Sequence, residues 1–369
     1  MKKIGHISLF YRPLVGGQDT YIENLKQVLE KQGYQNTVYQ SLSLRFKIDH
    51  KGVRAIPSPP LISRWIPNFN WYYFNLALRA FKPAIKKEDV LIVHYAVHYS
   101  AVKYHPRVIV VSHGIEWHRP FDQWDDKIRA RRARETFQSN RIVANDTEYL
   151  RFCGLNIKPG TRFFEEISPG KWFVPNCVNT EQFAKVPPDP DLKKLNAILV
   201  PRNIYRQRGI HLAIAAFGLM VREGNTKNNL VIIGKIIDRQ YYLDLLTLID
   251  QSGIKERVFF AGHGGWKDMP SKYSAGVCTV IPTVDCEGTS LSALESMACE
   301  TPVVATSVAG LKDLPCLLAE PNARSLKEAI NQVLENREKF SKDQRETVVR
   351  LFNMRNWANA WQTILSKPF

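Results

Sequence analysis

The chain has 369 residues, which is too long for one ordinary hydrophobic core and suits two domains. Apolar residues make up 44% and charged residues 23% of the sequence, as in soluble globular proteins, and no run of about 18 apolar residues predicts a membrane-spanning helix. The six cysteines form no C-x-x-C pair. We therefore expect reduced thiols in a cytoplasmic protein, rather than a disulfide framework or a zinc site.

The net charge of +16 is concentrated in the first half of the chain. Residues 1–180 hold 27 Lys and Arg against 15 Asp and Glu, whereas residues 181–369 hold 24 against 20. The imbalance predicts an anionic partner for the first half, the alternative being a positive field that only aids solubility. Nucleic acid is not expected as that partner, since no recognised nucleic-acid-binding motif accompanies the charge.

The first half alternates short apolar runs with helical patterns. KIGHISLF reads as a strand, because its apolar run is too short for a signal peptide and no cleavage site follows. A Gly-rich turn then leads to an amphipathic helix, TYIENLKQVLEKQGY, which Gly33 terminates. The later apolar runs are typical of strands buried in a parallel sheet: DVLIVHY, RVIVVSHG, SNRIVAND and KWFVPNCV.

A Pro- and Asp-rich stretch at 184–195 interrupts this rhythm, and the strand–helix alternation then restarts. We interpret the stretch as a linker and hinge between a first domain at 1–183 and a second at 196–351. Both domains are predicted to be doubly wound α/β folds facing each other across a cleft. Ligands bind such folds at the carboxyl ends of the strands.

Three loops in these positions carry groups suited to an anion. Gly16 and Gly17 lie between a strand and a helix, where a ligand can approach the backbone, although many such turns are only turns. Arg202 and Arg208 follow the first strand of the second domain and would suit a diphosphate, the alternative being ordinary surface arginines. His113 ends a strand and points to the ligand crevice or serves a structural hydrogen bond.

The segment EGTSLSALES places Glu287 and Glu295 on either side of a predicted helix start. The N-terminus of that helix would bind phosphate, and a carboxylate beside it would accept hydrogen bonds from sugar hydroxyls. The competing interpretation is a capping box between Ser292 and Glu295.

These motifs resemble those of the family 4 retaining glycosyltransferases, which have the GT-B fold. EGTSLSALESMACETPVVAT is similar to the family's E-G-F-G-x4-E-A-M-A-x-G-T-P-V-V-A-T signature, with seven residues between the two glutamates. GGQD, VPNCVNTEQF, RNIYRQRG and the closing FNMRNWANAW resemble further family segments, and the last implies that 352–369 crosses back to the first domain. The likeness is strongest over 174–310.

The resemblance implies a role for each matching position. Glu287 would bind donor-sugar hydroxyls, Glu295 the nucleotide ribose, and Arg202 with Arg208 the leaving diphosphate, in place of a metal. His113 would lie beside the sugar, and the loops at Gly234 and His263 would line the base pocket. The implied donor-binding set is Gly16, Gly17, Arg202, Arg208, Gly234, His263, Glu287, Gly288, Thr289, Ser290, Leu291, Ser292 and Glu295, and the implied catalytic set is Glu287, His113, Arg202 and Arg208. No metal or cofactor is implied.

Several positions depart from the family pattern. Arg208 replaces a lysine, Thr289 and Ser290 replace Phe and Gly, and Glu300 replaces a glycine. Cys177 and Asn179 stand where the family has Gly and Asp.

The resemblance implies transfer of a hexosyl group from a nucleotide sugar, with UDP-hexose expected, to a glycan or lipid-linked acceptor with retention of configuration. Such a role belongs to polysaccharide or cell-envelope glycan synthesis. Aromatic and basic residues over 61–87, with the basic helix DDKIRARRARETF, predict peripheral contact with an anionic membrane at the inner face of the plasma membrane, unless Trp65, Trp71, Tyr72 and Phe74 are core residues. The alternative function is a non-catalytic glycan- or nucleotide-binding protein.

Overall fold

The computed structural model describes residues 2–12, 14, 16–42, 51–57, 70–115, 117, 124–224 and 226–369. The chain divides into two compact units. The first comprises Met1–Lys158, Phe164–Pro175 and Trp357–Phe369, and the second comprises Pro159–Phe163 and Asn176–Asn356. Among the described residues no helix is both long and apolar enough to cross a membrane.

The described residues of the first unit form an eight-stranded sheet in the order β3-β2-β1-β4-β5-β6-β8-β7, and among them only the β7–β8 pair is antiparallel. Because β2 and β3 lie on one side of β1 and β4 to β6 on the other, the strand order reverses between β1 and β4. Its strands are β1 Lys3–Ile7, β2 Gln35–Ser41, β3 Val53–Ile56, β4 Val90–His94, β5 Val108–Ser112, β6 Arg141–Ala144, β7 Glu165–Ser168 and β8 Lys171–Phe173.

The helices of the first unit connect these strands. They are α1 Gly17–Lys31, α2 Asn70–Ala80, α3 Lys82–Ile85, α4 Tyr99–Val102, α5 Trp124–Ser139 and α6 Thr147–Phe152, with most of α14 Met354–Ser366. As predicted, α1 ends beside Gly33, whose φ of +84° suits a glycine. The predicted strands β4 and β5 are buried along their whole length, as expected of central strands covered on both faces.

The second unit has a six-stranded parallel sheet in the order β11-β10-β9-β12-β13-β14, and its strand order reverses between β9 and β12. The strands are β9 Ala197–Val200, β10 Asn229–Ile232, β11 Val258–Phe260, β12 Cys278–Ile281, β13 Val303–Thr306 and β14 Leu317–Ala319. The helices are α7 Pro190–Lys194, α8 Ile210–Arg222, α9 Arg239–Gln251, α10 Met269–Ala275, α11 Leu291–Ala298, α12 Ala323–Glu335 and α13 Arg337–Leu351. Both units are therefore doubly wound α/β folds, as predicted.

The stretch 184–195, expected to be a linker, lies within the second unit, and the chain divides at 175/176 instead. Asp189 caps α7 by accepting hydrogen bonds from the N–H groups of Asp191 and Leu192, each at 3.1 Å. The backbone N–H of Asp189 donates to Ser271 O at 3.0 Å, and Leu192 is buried in the core of this unit. The prolines here start a short helix rather than an extended connection.

Glu300 occupies a strained position after the end of α11. Its φ is +62°, in the left-handed region where the resembling family has glycine. Its carboxylate forms ion pairs with Lys185 at 2.9 Å and with Arg345 at 3.4 Å, but all three side chains are partly exposed, so the pairs contribute little.

Glu300→Gly is expected to stabilise the protein. A non-glycine residue in this region costs about 1–2 kcal/mol, and losing the two ion pairs offsets about half of the gain, which leaves roughly 0.5–1 kcal/mol. The urea unfolding midpoint should rise accordingly. Glu346→Gly, inside the regular helix α13, is the control and should cost about 1 kcal/mol. A midpoint for Glu300→Gly at or below wild type would contradict the prediction.

Candidate active site

The candidate site in the second unit lies where the strand order reverses. The loop after β9 carries Arg202 and Arg208, and the loop after the neighbouring strand β12 carries Glu287. Both loops leave the carboxyl ends of parallel strands, so they meet at one edge of the sheet. This is the position at which doubly wound sheets bind ligands.

Two arginines converge on one carboxylate oxygen at this edge. Arg202 Nη2 and Arg208 Nη1 both donate to Glu287 Oε2, which also accepts from the Thr283 hydroxyl at 3.2 Å. Arg202 is buried and donates a further hydrogen bond to Thr283 Oγ1 at 3.1 Å. The structure brings together Arg202, Arg208 and Glu287, three of the residues predicted from the sequence. The sequence gave no signal for Thr283 beyond its place after β12.

Electrostatics favour full ionisation of Glu287. Burial alone would raise its pKa, but the charges of Arg202 and Arg208, with their hydrogen bonds, hold the pKa below its ordinary value. Burial and the neighbouring Arg208 lower the pKa of Arg202, which remains a cation at any ordinary pH. Two guanidinium groups against one carboxylate leave the cluster with an excess positive charge.

The two serine hydroxyls of the helix start also face the buried arginine. Arg202 Nη1 lies 3.4 Å from both Ser290 Oγ and Ser292 Oγ. Ser290 is the N-cap of α11, yet its side chain caps no backbone N–H, so the first-turn N–H groups have no side-chain cap. The serine at 290, where the family has glycine, is tolerated because its φ is −67°.

The alternative capping box between Ser292 and Glu295 is wrong, because α11 begins one residue after Ser290 and leaves Ser292 inside the first turn. Glu295 instead accepts a hydrogen bond from the Tyr273 hydroxyl at 3.0 Å. Burial raises the pKa of Glu295 to about 7, while this hydrogen bond acts in the opposite direction. Unlike Glu287, Glu295 has no cationic partner in these contacts.

Thr289, which replaces the family's phenylalanine, holds the loop in place. Its hydroxyl accepts the backbone N–H of Asn176 at 2.7 Å, and the Asn176 amide donates to the Thr289 carbonyl. Asn179 Oδ1 accepts hydrogen bonds from the backbone N–H groups of Glu181 at 3.1 Å and Gln182 at 3.3 Å. The asparagine thus stabilises this turn in the same way as an aspartate would.

Two glycines allow the arginine loop to adopt its path. Gly209 has a φ of +66°, and a Cβ there would lie 1.8 Å from the Pro282 carbonyl oxygen. A Cβ on Gly234 would lie 2.1 Å from the carbonyl oxygen of Arg202. The loop after β10 therefore passes directly against the backbone that carries Arg202, and Gly234 N–H bonds to Gly262 O at 2.7 Å. The neighbouring His263 is exposed.

Gly234→Ala is expected to destabilise the protein by about 2–3 kcal/mol, because backbone rather than a flexible side chain blocks the added methyl group. Thermal or urea unfolding measures the loss. The control is Gly218→Ala in α8, where the nearest atom to the added Cβ is 3.5 Å away and the helix gains up to about 1 kcal/mol. Equal stability of the two variants would contradict the close approach at Gly234.

The remaining predicted residues lie in the first unit. Gly16 is the exposed N-cap of α1, and its N–H donates to Asp19 Oδ2 at 3.1 Å. A Cβ on Gly16 would meet nothing within 4 Å, so the local fold does not itself demand glycine there. Gly17 begins α1 and is exposed, and half-buried His113 follows β5. Of the aromatic residues predicted at the surface or in the core, Trp71 and Phe74 are buried, Tyr72 is exposed, and Trp65 lies outside the described residues.

Comparisons with known proteins agree with this architecture. Residues 15–151 match the Glycosyltransferase Family 4 model, and residues 182–347 match the model of Glycosyl transferases group 1. The chain belongs to the family 4 type of GT-B glycosyltransferases. Sucrose-phosphate synthase from Thermosynechococcus elongatus has the same fold, with a TM-score of 0.80, 20% identity and 99% and 98% of the two chains covered.

This glycosyltransferase is also similar to a second solved structure and to one sequence relative. Anabaena HepE in complex with UDP-glucose has a TM-score of 0.74 and 17% identity, with both chains covered completely. An uncharacterized glycosyltransferase of Methanocaldococcus jannaschii is 35% identical over 117 residues. That match spans 32% of this chain and 28% of the relative's length, well under two thirds.

Proposed function

We propose that this glycosyltransferase moves a hexosyl group from UDP-hexose to a glycan or lipid-linked acceptor with retention of configuration and without a metal. The observation that carries the proposal is the convergence of Arg202 and Arg208 beside the uncapped start of α11. The UDP and UDP-glucose bound by HepE support the choice of donor.

The arginine cluster is suited to a departing diphosphate. Negative charge grows on the leaving phosphate in the transition state, and fixed cations in a buried site stabilise it without reorganising. Glu287 holds both guanidinium groups in place before the ligand binds and would accept hydrogen bonds from donor-sugar hydroxyls. The buried Nε of Arg202 has no partner among the described residues and would be a further donor for phosphate oxygen.

The proposal gives each of the other predicted residues a role within its own unit. Backbone N–H groups from Thr289 to Ser292 cap the phosphate, and Glu295 accepts hydrogen bonds from the ribose. In the first unit, the exposed backbone at Gly16 and Gly17 would admit the β-phosphate and sugar. His113 contacts the sugar, and the loops at Gly234 and His263 line the base pocket.

The protein's own groups supply the chemistry in this mechanism. Retention without a side-chain base requires the leaving phosphate oxygen to take the acceptor's proton as the acceptor oxygen attacks from the same face. Arg202 and Arg208 share the growing charge of the diphosphate, while the uncapped N–H groups of α11 donate to its oxygens.

We further propose that the first unit contacts an anionic membrane from the cytoplasmic side, where its acceptor would lie. Helix α2 exposes Tyr72, Leu76 and Arg79. On α5, Lys127, Arg131 and Arg134 line a cavity together with Glu135 and Phe152. Aromatic and basic side chains together favour the headgroup region. Sedimentation with vesicles containing anionic lipid, against neutral vesicles, tests this part.

A non-catalytic binding protein is the second candidate, favoured by the altered EGTS segment. Thermal shift in EDTA against UDP-glucose, UDP-galactose, UDP-N-acetylglucosamine and GDP-mannose, followed by product analysis, separates the two. A metal-independent shift with UDP sugars and turnover with retained configuration supports the proposal. A shift without turnover favours a nucleotide-binding protein, and no shift with any donor refutes the transferase proposal and leaves a glycan-binding protein as the candidate.

A further inference from the structure

A row of three histidines and one asparagine crosses the sheet of the first unit. Asn36 Oδ1 lies 3.1 Å from His6 Nε2, and His6 Nδ1 lies 3.3 Å from His94 Nε2. His94 Nδ1 then lies 2.9 Å from His113 Nε2. The rings of His6 and His94 therefore form hydrogen bonds through both nitrogens. The His113 ring forms one through Nε2, and its Nδ1 has no hydrogen-bond partner among the described residues.

The strand register explains why the row is continuous. On β1, the residue that pairs with Asn36 of β2 is Ile4, two residues before His6. On β4, the residue that pairs with His6 is Ile92, two residues before His94. His94 pairs with Val111, two residues before His113. Steps of two keep all four side chains on one face of the sheet and advance them towards its carboxyl edge. The row crosses from β1 to β4, where the strand order reverses.

The row is enclosed by aromatic side chains. His6 and His94 are fully buried, and the Tyr21 ring of α1 meets His113 edge-on with ring centres 4.6 Å apart. Burial lowers the pKa of His6 to about 4 and that of His113 to about 3, and lowers the pKa of His94 well below its ordinary value. All three imidazoles are therefore neutral near pH 7, each with one N–H and one lone pair.

Neutral rings in such a row must all be aligned in one direction. The Asn36 amide directs its Oδ1 to His6, while its Nδ2 is buried with no partner among the described residues. In this orientation the amide accepts, so His6 carries its proton on Nε2 and offers a lone pair at Nδ1. His94 must then donate from Nε2, and His113 must also donate from Nε2. This leaves the lone pair of His113 on Nδ1, the nitrogen that the row does not use.

We propose that Asn36, His6 and His94 are positioning residues that hold His113 in the Nε2–H tautomer, so that its Nδ1 accepts a hydrogen bond from a substrate hydroxyl. The assignment of a hydroxyl-bearing substrate rests on the proposed function. The tautomer itself depends on the orientation of the Asn36 amide in the first unit and not on the proposed function. Three residues that cannot reach a ligand would thus decide whether His113 acts towards it as an acceptor or a donor.

The test is the tautomer of His113 in full-length protein labelled with ¹⁵N-histidine, read from long-range ¹H–¹⁵N correlations at pH 7 without ligand. Wild type should show a protonated Nε2 and an unprotonated Nδ1. Asn36→Leu removes the terminal acceptor, so the two opposite alignments become close in energy and His113 should show a mixture. Asn36→Gln keeps an uncharged amide acceptor and should restore the wild-type tautomer.

The matched control is Asn75→Leu, which breaks another buried Asn–His contact, between Asn75 Oδ1 and His98 Nδ1 at 2.8 Å, outside the row. Its His113 signals should be unchanged. With a UDP-sugar as substrate, Asn36→Leu should lower kcat/KM about five- to tenfold, the value of one misdirected hydrogen bond, and Asn36→Gln should recover it.

Protonation of His113 at Nδ1 in wild type, or an unchanged tautomer in Asn36→Leu, would overturn the proposal, as would a mixture in Asn75→Leu. Because the spectrum needs no ligand, its outcome is separate from the proposed function. If the tautomers are as expected but no nucleotide sugar is turned over, the proposed function is refuted, and with it the assignment of a substrate hydroxyl to His113. If nucleotide sugars are turned over but the tautomer is not as expected, only the positioning role is refuted.

Discussion

Glu295→Gln is expected to stabilise the ligand-free protein while removing most of its affinity for nucleotide. Glu295 is half-buried beside Tyr273, forms no ion pair among the described residues, and has its pKa raised by burial to about 7. Above that pH the folded protein must hold a poorly solvated charge. Glutamine keeps the shape and a hydrogen-bond acceptor for the Tyr273 hydroxyl but removes the charge.

The sign of the pH dependence follows from the raised pKa. An unfolded glutamate ionises near pH 4.5, so the folded state favours the protonated form, and the stability due to Glu295 is present below about pH 4.5 and lost as the pH rises to 7. A shift of this size corresponds to roughly 2–3 kcal/mol above pH 7. Glu295→Gln should therefore melt a few degrees higher than wild type at pH 8, with little difference at pH 5.

Ligand affinity should change in the opposite direction. An ionised carboxylate accepts hydrogen bonds from both hydroxyls of a ribose, so UDP binding by wild type should weaken as the pH falls from 8 to 6, with proton release on binding near pH 6.5. Titration calorimetry in buffers of different ionisation enthalpy measures this release. Glu295→Gln should bind about tenfold or more weakly at pH 8 and release no proton. A destabilised variant with unchanged affinity would contradict the role of Glu295.

The fold was largely predictable because central parallel strands leave a strong sequence signal. Strands such as β4 and β5 are continuous apolar runs, whereas β2 (QNTVYQS) and β14 (LLA) are half-polar or very short and gave no such signal. The linker predicted at 184–195 is wrong for a related reason. Its prolines and aspartates are typical of linkers, but they equally suit a helix N-terminus, and only the contact of Leu192 with the core decides between the two.

The site was predictable where the chemistry depends on local spacing. The sequence places Arg202, Arg208 and Glu287 in loops after strands of the second domain, and the pairing of β9 with β12 then brings these loops together. Pairings across long distances carry no sequence pattern: neither the bond between Glu295 and Tyr273 nor the row from Asn36 to His113 could be read before the register was known. These are the contacts that set protonation states.

Arg202→Met is expected to lower kcat/KM with a UDP-sugar by a factor of about 10²–10³, the usual loss when a fixed donor to developing charge is removed from a buried site. Arg202 contacts Glu287, Thr283 and both helix-start serines at once, so its guanidinium is held rigidly. Arg202→Lys should recover little, because an ammonium group cannot span these partners. In Arg202→Met, Glu287 would still form its ion pair with Arg208. The pKa of Glu287 should therefore rise, but its carboxylate would not be left without a cationic partner.

The matched control is Arg206→Met, in the same turn between β9 and α8. Arg206 is exposed, paired with Asp244 at 2.6 Å and lies over the Tyr241 ring, so it shares the charge and sequence neighbourhood of Arg202 but not its burial. Its removal should change kcat/KM less than about twofold, as for other exposed ion pairs. If the two variants lost activity equally, general positive charge would explain the effect. We expect the loss of activity to be confined to Arg202→Met and its affinity for free UDP to fall only about tenfold. A loss in kcat/KM larger than the loss in UDP affinity would show that Arg202 stabilises the leaving group in the transition state more than it stabilises the bound donor.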